Sequence, residues 1–71
     1  MIALERFNEA VELSLDDSGI DELIDLLQGL KGMKTHVHMM TPAWGGKELS
    51  EAIRHGELVN HLIIYSVGCG E

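Results

Sequence analysis

Three parts of the chain carry the residue pattern of β-strands. Apolar and polar residues alternate with a period of two across residues 9 to 15 and again across residues 35 to 41, as in half-buried strands. Residues 57 to 67 are too uniformly apolar for a strand with one exposed face, so we predict a strand contacted on both faces. A short edge strand over residues 4 to 7, followed by a turn at Asn8, is also predicted.

A helical period lies between the two alternating segments. Ser18, followed three residues later by Asp21, has the spacing of a helix start, and Gly32 after Lys31 fits a helix end. The apolar residues between them are spaced three and four apart and share one stripe: Ile20, Leu23, Ile24, Leu27 and Leu30. We predict that this stripe packs on the core.

The remaining connection has no regular period. Pro42 has no backbone N–H and Gly45 and Gly46 add conformational freedom, so residues 42 to 46 predict a loop. Residues 47 to 55 predict irregular structure with a helical turn. A chain of 71 residues makes one domain, 1 to 71. The predicted fold is α+β, a small β(β)αββ sheet with one amphipathic helix packed on one face.

A single helix covers one face of such a sheet and leaves the other face open. The alternation assigns five residues to the open face: His36, His38, Met40, Ile63 and Tyr65. A face this apolar invites a partner protein or a homodimer. Self-association would also help so small a domain, because the lone cysteine, Cys69, excludes an intrachain disulfide. The side chain of Cys69 is either a reactive thiol or an inert residue of the carboxyl-terminal tail.

The charge of the chain narrows the class of partner. The net charge is −7, and the first 25 residues hold eight acids against one base. Such a surface repels phosphate backbones, so we expect no nucleic acid and favour a basic protein. Asp21, Glu22 and Asp25 form either a docking surface or a solvated helix face. No apolar run resembles a signal peptide or a membrane span, so we expect no membrane association and a cytoplasmic location.

Trp44 is the largest of only three aromatic residues, and it lies in the Pro and Gly loop. It either folds back as a lid over the core or anchors a partner, because Trp is enriched at binding hot spots. Tyr65 on the open face and Glu48 after the loop join Trp44 and the three helix acids as candidate partner-binding residues.

Histidines suggest an alternative, metal-binding function. His36 and His38 project from one strand face, and His61 joins them if the strands pair in the right register. Polar sheet histidines without a metal explain the same pattern. Glu51 and His55 would form an acid–base pair only on a helix. No nucleophile or phosphate-loop motif is present, so we expect no catalytic residue and no cofactor; a dimeric enzyme with a site at the subunit junction is the third hypothesis.

The run from Thr35 to Ser50, followed by the run from Leu58 to Tyr65, resembles the immunity protein 32 family of bacterial polymorphic-toxin systems. The similarity covers roughly residues 10 to 67, and its most distinctive part is Trp-Gly-Gly-x-Glu-Leu. The resemblance implies a small α+β protein that neutralises a toxin by binding it inside the producing cell, without catalysis or cofactor. The resemblance identifies five residues as positions of the family motif, without assigning them a contact with the toxin: Trp44, Gly45, Gly46, Glu48 and Leu49.

Overall fold

Two short strands, a helix and three further strands follow one another along the chain, in a computed structural model that describes residues 1 to 68. Cys69 lies outside the described residues. The elements are β1 (Ile2–Phe7), β2 (Ala10–Leu15), α1 (Asp17–Leu30), β3 (His36–Met40), a 3-10 turn (Pro42–Trp44), β4 (Glu57–Leu58) and β5 (His61–Tyr65). The predicted α+β class is confirmed. In the described part of the chain, no helix is long and apolar enough to cross a membrane.

The strands form two antiparallel sheets, β2-β1-β4 and β3-β5, where one sheet was expected. The division comes from the apolar run over residues 57 to 67, which is interrupted at Val59 and Asn60. Val59 N–H donates to the Leu4 carbonyl (3.0 Å), whereas the Asn60 carbonyl accepts from Thr41 N–H (3.0 Å). The chain therefore passes from one sheet to the other within two residues. The prediction that residues 57 to 67 form one strand contacted on both faces is therefore wrong: the run forms two strands, and within the described chain β5 is covered on one face only.

The strand predicted at the edge, over residues 4 to 7, is the central strand of its sheet. It begins earlier, at Ile2, and pairs with β2 on one side and β4 on the other. Ser50 extends the second pairing, since its N–H donates to the Ile2 carbonyl (2.7 Å). The predicted turn at Asn8 is confirmed, with Asn8 at φ 57°. On β2, Val11 and Leu13 are exposed, so the prediction that they lie on a half-buried face is wrong.

The helix begins at Asp17, one residue before the predicted start at Ser18, because Asp16 is its N-cap. The Asp16 carboxylate accepts from Gly19 N–H (2.8 Å), from the Ser18 hydroxyl (3.0 Å) and from the amino-terminal ammonium of Met1. The helix ends at Leu30, and Gly32 follows with φ 81°. The predicted end is therefore close to the observed one.

The helix packs on a different stripe from the predicted one. Its covered residues are Gly19, Leu23, Leu26 and Leu30, while three members of the predicted stripe are exposed: Ile20, Ile24 and Leu27. The cause is a close approach at Gly19, where a Cβ would lie 2.0 Å from the Met1 carbonyl oxygen. Because the helix touches the start of β1 there, the Gly19 side faces the sheet and the Ile20 side turns outward.

The core lies between the helix and the inner faces of both sheets. It is centred on Ile2, Met39 and Leu49, and half-buried apolar residues surround it: Leu15, Leu23, Leu26, Leu62 and Ile64. The outer face of β3 and β5 points away from this core and carries no covering element of the described chain. That outer face is the starting point for the functional site.

Candidate partner-binding surface

The register of β3 and β5 decides which side chains share the open face. His36 pairs with Tyr65, His38 with Ile63 and Met40 with His61. Residues directly opposite in antiparallel strands project from the same face. The prediction that His36, His38, Met40, Ile63 and Tyr65 lie on one face is therefore confirmed, and His61 joins them as expected.

Five ring side chains follow one another across this face in continuous contact. The ring centroids of Tyr65 and His36 lie 5.1 Å apart, those of His36 and His38 5.0 Å, those of His38 and His61 5.0 Å, and those of His61 and Trp44 5.8 Å. Both ends of the row are well exposed, Trp44 at 58% and Tyr65 at 67%. We call Trp44, His61, His38, His36 and Tyr65 the ring face.

Thr41 attaches the Trp44 turn to the sheet. Thr41 is fully buried, and its hydroxyl donates to the Asn60 side-chain oxygen (2.6 Å), while its backbone N–H donates to the Asn60 carbonyl (3.0 Å). The Thr41 carbonyl accepts from Trp44 N–H (2.9 Å) and from Gly46 N–H (3.0 Å). The turn is therefore hydrogen-bonded to the carbonyl of Thr41, a residue that two hydrogen bonds to Asn60 hold in place.

Acidic side chains complete the backbone hydrogen bonds of this segment. The Glu51 carboxylate accepts from Ala43 N–H (2.9 Å). The Glu48 carboxylate accepts from Met40 N–H (3.2 Å) and Lys47 N–H (3.3 Å). The bond from Met40 is the main cause that lowers the pKa of Glu48 below its usual 4.5. Glu48, a candidate partner-binding residue, thus has a carboxylate already engaged in building the turn.

The Trp-Gly-Gly-x-Glu-Leu motif has a physical explanation at each named position. Gly45 adopts φ 87°, which favours glycine, and a Cβ on Gly46 would lie 2.5 Å from the Met40 carbonyl oxygen. Glu48 binds backbone N–H groups, and Leu49 is a core residue at 1% exposure. Four positions therefore build the turn, and Trp44 is the side chain that the turn presents.

The two hypotheses for Trp44 differ in what its ring covers. Its ring lies near His61 on the outer face, and more than half of the side chain contacts solvent. The buried core residues Met39 and Leu49 are on the other side of the β3 and β5 pair. Trp44 therefore does not lie over the core as a lid would.

The acidic helix residues belong to a different surface. Asp21, Glu22 and Asp25 are exposed on α1, and α1 packs through Leu23 and Leu26 against the inner side of β3 and β5. The ring face is on the outer side of the same strands. The row of ring contacts thus joins Trp44 and Tyr65 but includes none of the helix acids, of which Glu22 lines a cavity together with Lys47 and Glu48.

The three sheet histidines do not converge on one point. His38 Nδ1 and His61 Nε2 are 2.8 Å apart and share a hydrogen bond. Among residues 1 to 68, the group of three potential metal ligands within 4.8 Å of one another is Glu5, Glu12 and His55, and not the histidine set. His38 and His61 could therefore provide two nitrogen ligands for one metal ion, but the ring nitrogens of His36 are not close enough to both of them to provide a third.

The predicted irregular structure of residues 47 to 55 is confirmed, but without a helical turn. Consequently Glu51 and His55 do not pair: Glu51 binds Ala43 N–H, and His55 Nε2 lies 2.7 Å from a Glu12 carboxylate oxygen. Sequence reasoning missed Asn60 as a support of the site. No local signal marks it, because its partner Thr41 is 19 positions away.

Comparisons with known proteins add no constraint on this site. No family model, curated protein or solved structure matches the chain.

Proposed function

We propose that the chain is a non-enzymatic protein-binding domain that contacts a basic partner protein through its ring face, as an immunity-like inhibitor inside the producing cell. The observation that carries the proposal is an exposed Trp44 on a turn whose backbone hydrogen bonds are already satisfied. A side chain held in its binding position before contact loses little conformational entropy when a partner covers it. The resemblance to the immunity protein family supports the same class of function.

The exposed rings supply enough surface for a binding hot spot. Buried aromatic side chains cover about 150 to 250 Å² each, so Trp44 and Tyr65 together expose on the order of 250 Å². At about 25 cal/mol per Å² this surface is worth about 6 kcal/mol before the costs of association. The neighbouring imidazoles and Ile63 add contact area between these two anchors. Trp44 and Tyr65 are thus the proposed energetic centre of the interface.

The acidic helix has a separate part in the proposal. A net charge of −7 attracts a basic partner over long distances. Asp21, Glu22 and Asp25 are exposed on α1 and are not members of the ring face, so we expect them to act mainly on the rate of encounter. Neutralising them should slow association and weaken its salt dependence, while dissociation stays unchanged.

A kinetic comparison of three variants tests this division of roles. A partner captured from the producing cells is measured by surface plasmon resonance against Trp44→Ala, against the triple variant D21N/E22Q/D25N, and against Ile24→Ala. Ile24 is a suitable control because it is an exposed apolar residue of α1, away from the ring face. We expect Trp44→Ala to raise the dissociation rate at least tenfold, which corresponds to about 1.4 kcal/mol. Equal dissociation rates for Trp44→Ala and Ile24→Ala would refute the ring face as the contact.

Self-association through the same face is the competing outcome. Light scattering of the purified protein reports it directly, because a homodimer doubles the molar mass. A dimer that Trp44→Ala or Tyr65→Ala converts to monomer, with no partner retained, would replace the partner protein by a second copy.

A further inference from the structure

A second cluster of functional groups lies on the sheet that contains β1 and β2. Glu5 and Glu12 are directly opposite each other in the register of these strands, so both carboxylates project from the same face. Like charges directly opposite each other across two strands are unfavourable. This arrangement calls for a positive group between or beside them.

The Glu5 carboxylate is buried and held in a fixed orientation. Glu5 is 1% exposed, and its Oε1 accepts from the N–H groups of Arg54 (3.3 Å), His55 (3.0 Å) and Gly56 (2.6 Å). The hydrogen bond from His55 N–H is the main cause that lowers the pKa of Glu5. Among residues 1 to 68, Arg54 N–H at 3.1 Å is the one donor to its second oxygen, Oε2. Oε2 therefore retains a free lone pair in a carboxylate that is already oriented.

The imidazole of His55 completes the cluster. His55 Nε2 is 2.7 Å from Glu12 Oε1, and the ring lies next to that of Phe7, with centroids 4.1 Å apart and planes tilted by 37°. One ligand atom from each of Glu5, Glu12 and His55 lies within 4.8 Å of the other two. His55 and Glu12 are partly exposed, so an ion can reach the site from solvent.

We propose that Glu5, Glu12 and His55 form a binding site for a divalent transition-metal ion of the zinc class. Two carboxylate oxygens and one imidazole nitrogen are a ligand set that suits zinc, cobalt or manganese, with water in the open positions. Ligands at 2.0 to 2.2 Å from a tetrahedral ion are about 3.3 to 3.6 Å apart. The cluster reaches this geometry by small rotations of the exposed Glu12 and His55 side chains while Glu5 stays fixed.

The charge and the hydrogen bonds of the site fit this ligand. The ion neutralises the two opposed carboxylates, and the backbone N–H groups that orient Glu5 have the role that outer-shell donors have in metal sites. His55 would bind the ion through the lone pair of Nε2, which then carries no proton. Calcium and magnesium are disfavoured because they prefer oxygen ligands alone.

The site would join β1, β2 and the segment from Arg54 to Gly56. The Arg54 to Gly56 segment is far in sequence from the β1 and β2 hairpin, and a ligand that binds only the folded chain stabilises it against unfolding. The ring face uses none of these residues. The metal proposal and the protein-binding proposal can therefore fail independently of each other.

Calorimetric titration of the chelator-treated protein with zinc chloride tests the proposal, and the visible absorption of added cobalt reports the ligands. The test variants are Glu12→Gln, which keeps the shape of the side chain, and His55→Ala. The control is the double variant H38A/H61A, which removes the hydrogen-bonded histidine pair of the ring face. Circular dichroism and urea unfolding establish that each variant is folded.

We expect one ion to bind at this site, with affinity at least tenfold weaker in both test variants and unchanged in the control. Cobalt should give the absorption of a site with nitrogen and oxygen ligands in the wild type and in the control. The absence of zinc binding in the wild type would overturn the proposal. So would binding that Glu12→Gln leaves unchanged, or binding that H38A/H61A abolishes.

Discussion

Gly46 is the position at which the Trp44 turn has no room for a side chain. A Cβ there would lie 2.5 Å from the Met40 carbonyl oxygen and 2.7 Å from the Met40 Cβ. Both atoms belong to β3 and cannot move away as the end of a flexible side chain could. The turn itself must shift, so we expect Gly46→Ala to destabilise the protein by about 1 to 3 kcal/mol.

That cost is a large share of the stability of the whole domain. For a chain of 71 residues the free energy of unfolding is about 4 to 10 kcal/mol. With a urea dependence of about 1 kcal/mol per molar for so small a protein, the midpoint should fall by about 1 to 3 M. The variant should also bind the partner more weakly although Trp44 is retained, because the turn no longer holds the ring in place.

Urea titration monitored by Trp44 fluorescence measures the loss of stability, and the emission spectrum of the folded variant reports the displacement of the ring, since Trp44 is the only tryptophan. Gly29→Ala is the matched control, because a Cβ at Gly29 meets nothing within 4 Å and the residue is an exposed position in the last turn of α1. Because Ala has a higher helix propensity than Gly, we expect the free energy of unfolding of the Gly29→Ala control to rise by up to about 1 kcal/mol. A Gly46→Ala protein with an unchanged midpoint and an unshifted emission spectrum would refute the steric argument.

Two further predictions concern the core and the amino terminus. Leu49→Ala should lower the free energy of unfolding by about 2 to 5 kcal/mol in urea titrations, whereas Ile53→Ala, at an exposed position, should change it by about 0.5 kcal/mol or less. Equal losses in the two variants would contradict the core assignment. The hydrogen bond from the amino-terminal ammonium, followed by that from Gly19 N–H, lowers the pKa of Asp16 from 3.8 to about 2. Because the folded pKa is below the unfolded one, this contribution to stability is present above about pH 4 and is lost as the pH falls towards 2. An NMR titration of the Asp16 carboxylate should show the lowered pKa, and acetylation of the amino terminus should raise it. A pKa near 3.8 in the unmodified protein would contradict the hydrogen bond between Asp16 and the Met1 ammonium.

The sequence pattern predicted the helix, the β3 strand and the residues of the open face because these depend on local periods. It failed where a distant contact decides the outcome. The helix stripe is rotated because Gly19 meets the backbone of Met1, a contact that periodicity does not contain. The central place of β1 depends on pairing with Ser50 and β4, which come more than 40 positions later.

Contacts between residues distant in sequence also decide the environment of Glu5 and of Trp44, one in each proposed site. Glu5 has the sequence context of a surface acid, yet it is buried because the N–H groups of Arg54 to Gly56 surround its carboxylate. Trp44 was recognisable as a candidate from its residue type and its loop. Its contact with His61, which joins the loop and the open face into one surface, required the geometry of the turn.

The central claim is that a partner protein docks on the ring face, and the dissociation rate of that partner from paired variants tests it most directly. Trp44→Ala and Tyr65→Ala should each raise the dissociation rate at least tenfold, while Ile24→Ala and D21N/E22Q/D25N leave it unchanged. The same dissociation rate in all four variants, or an increase confined to the acidic-helix variant, would contradict the claim.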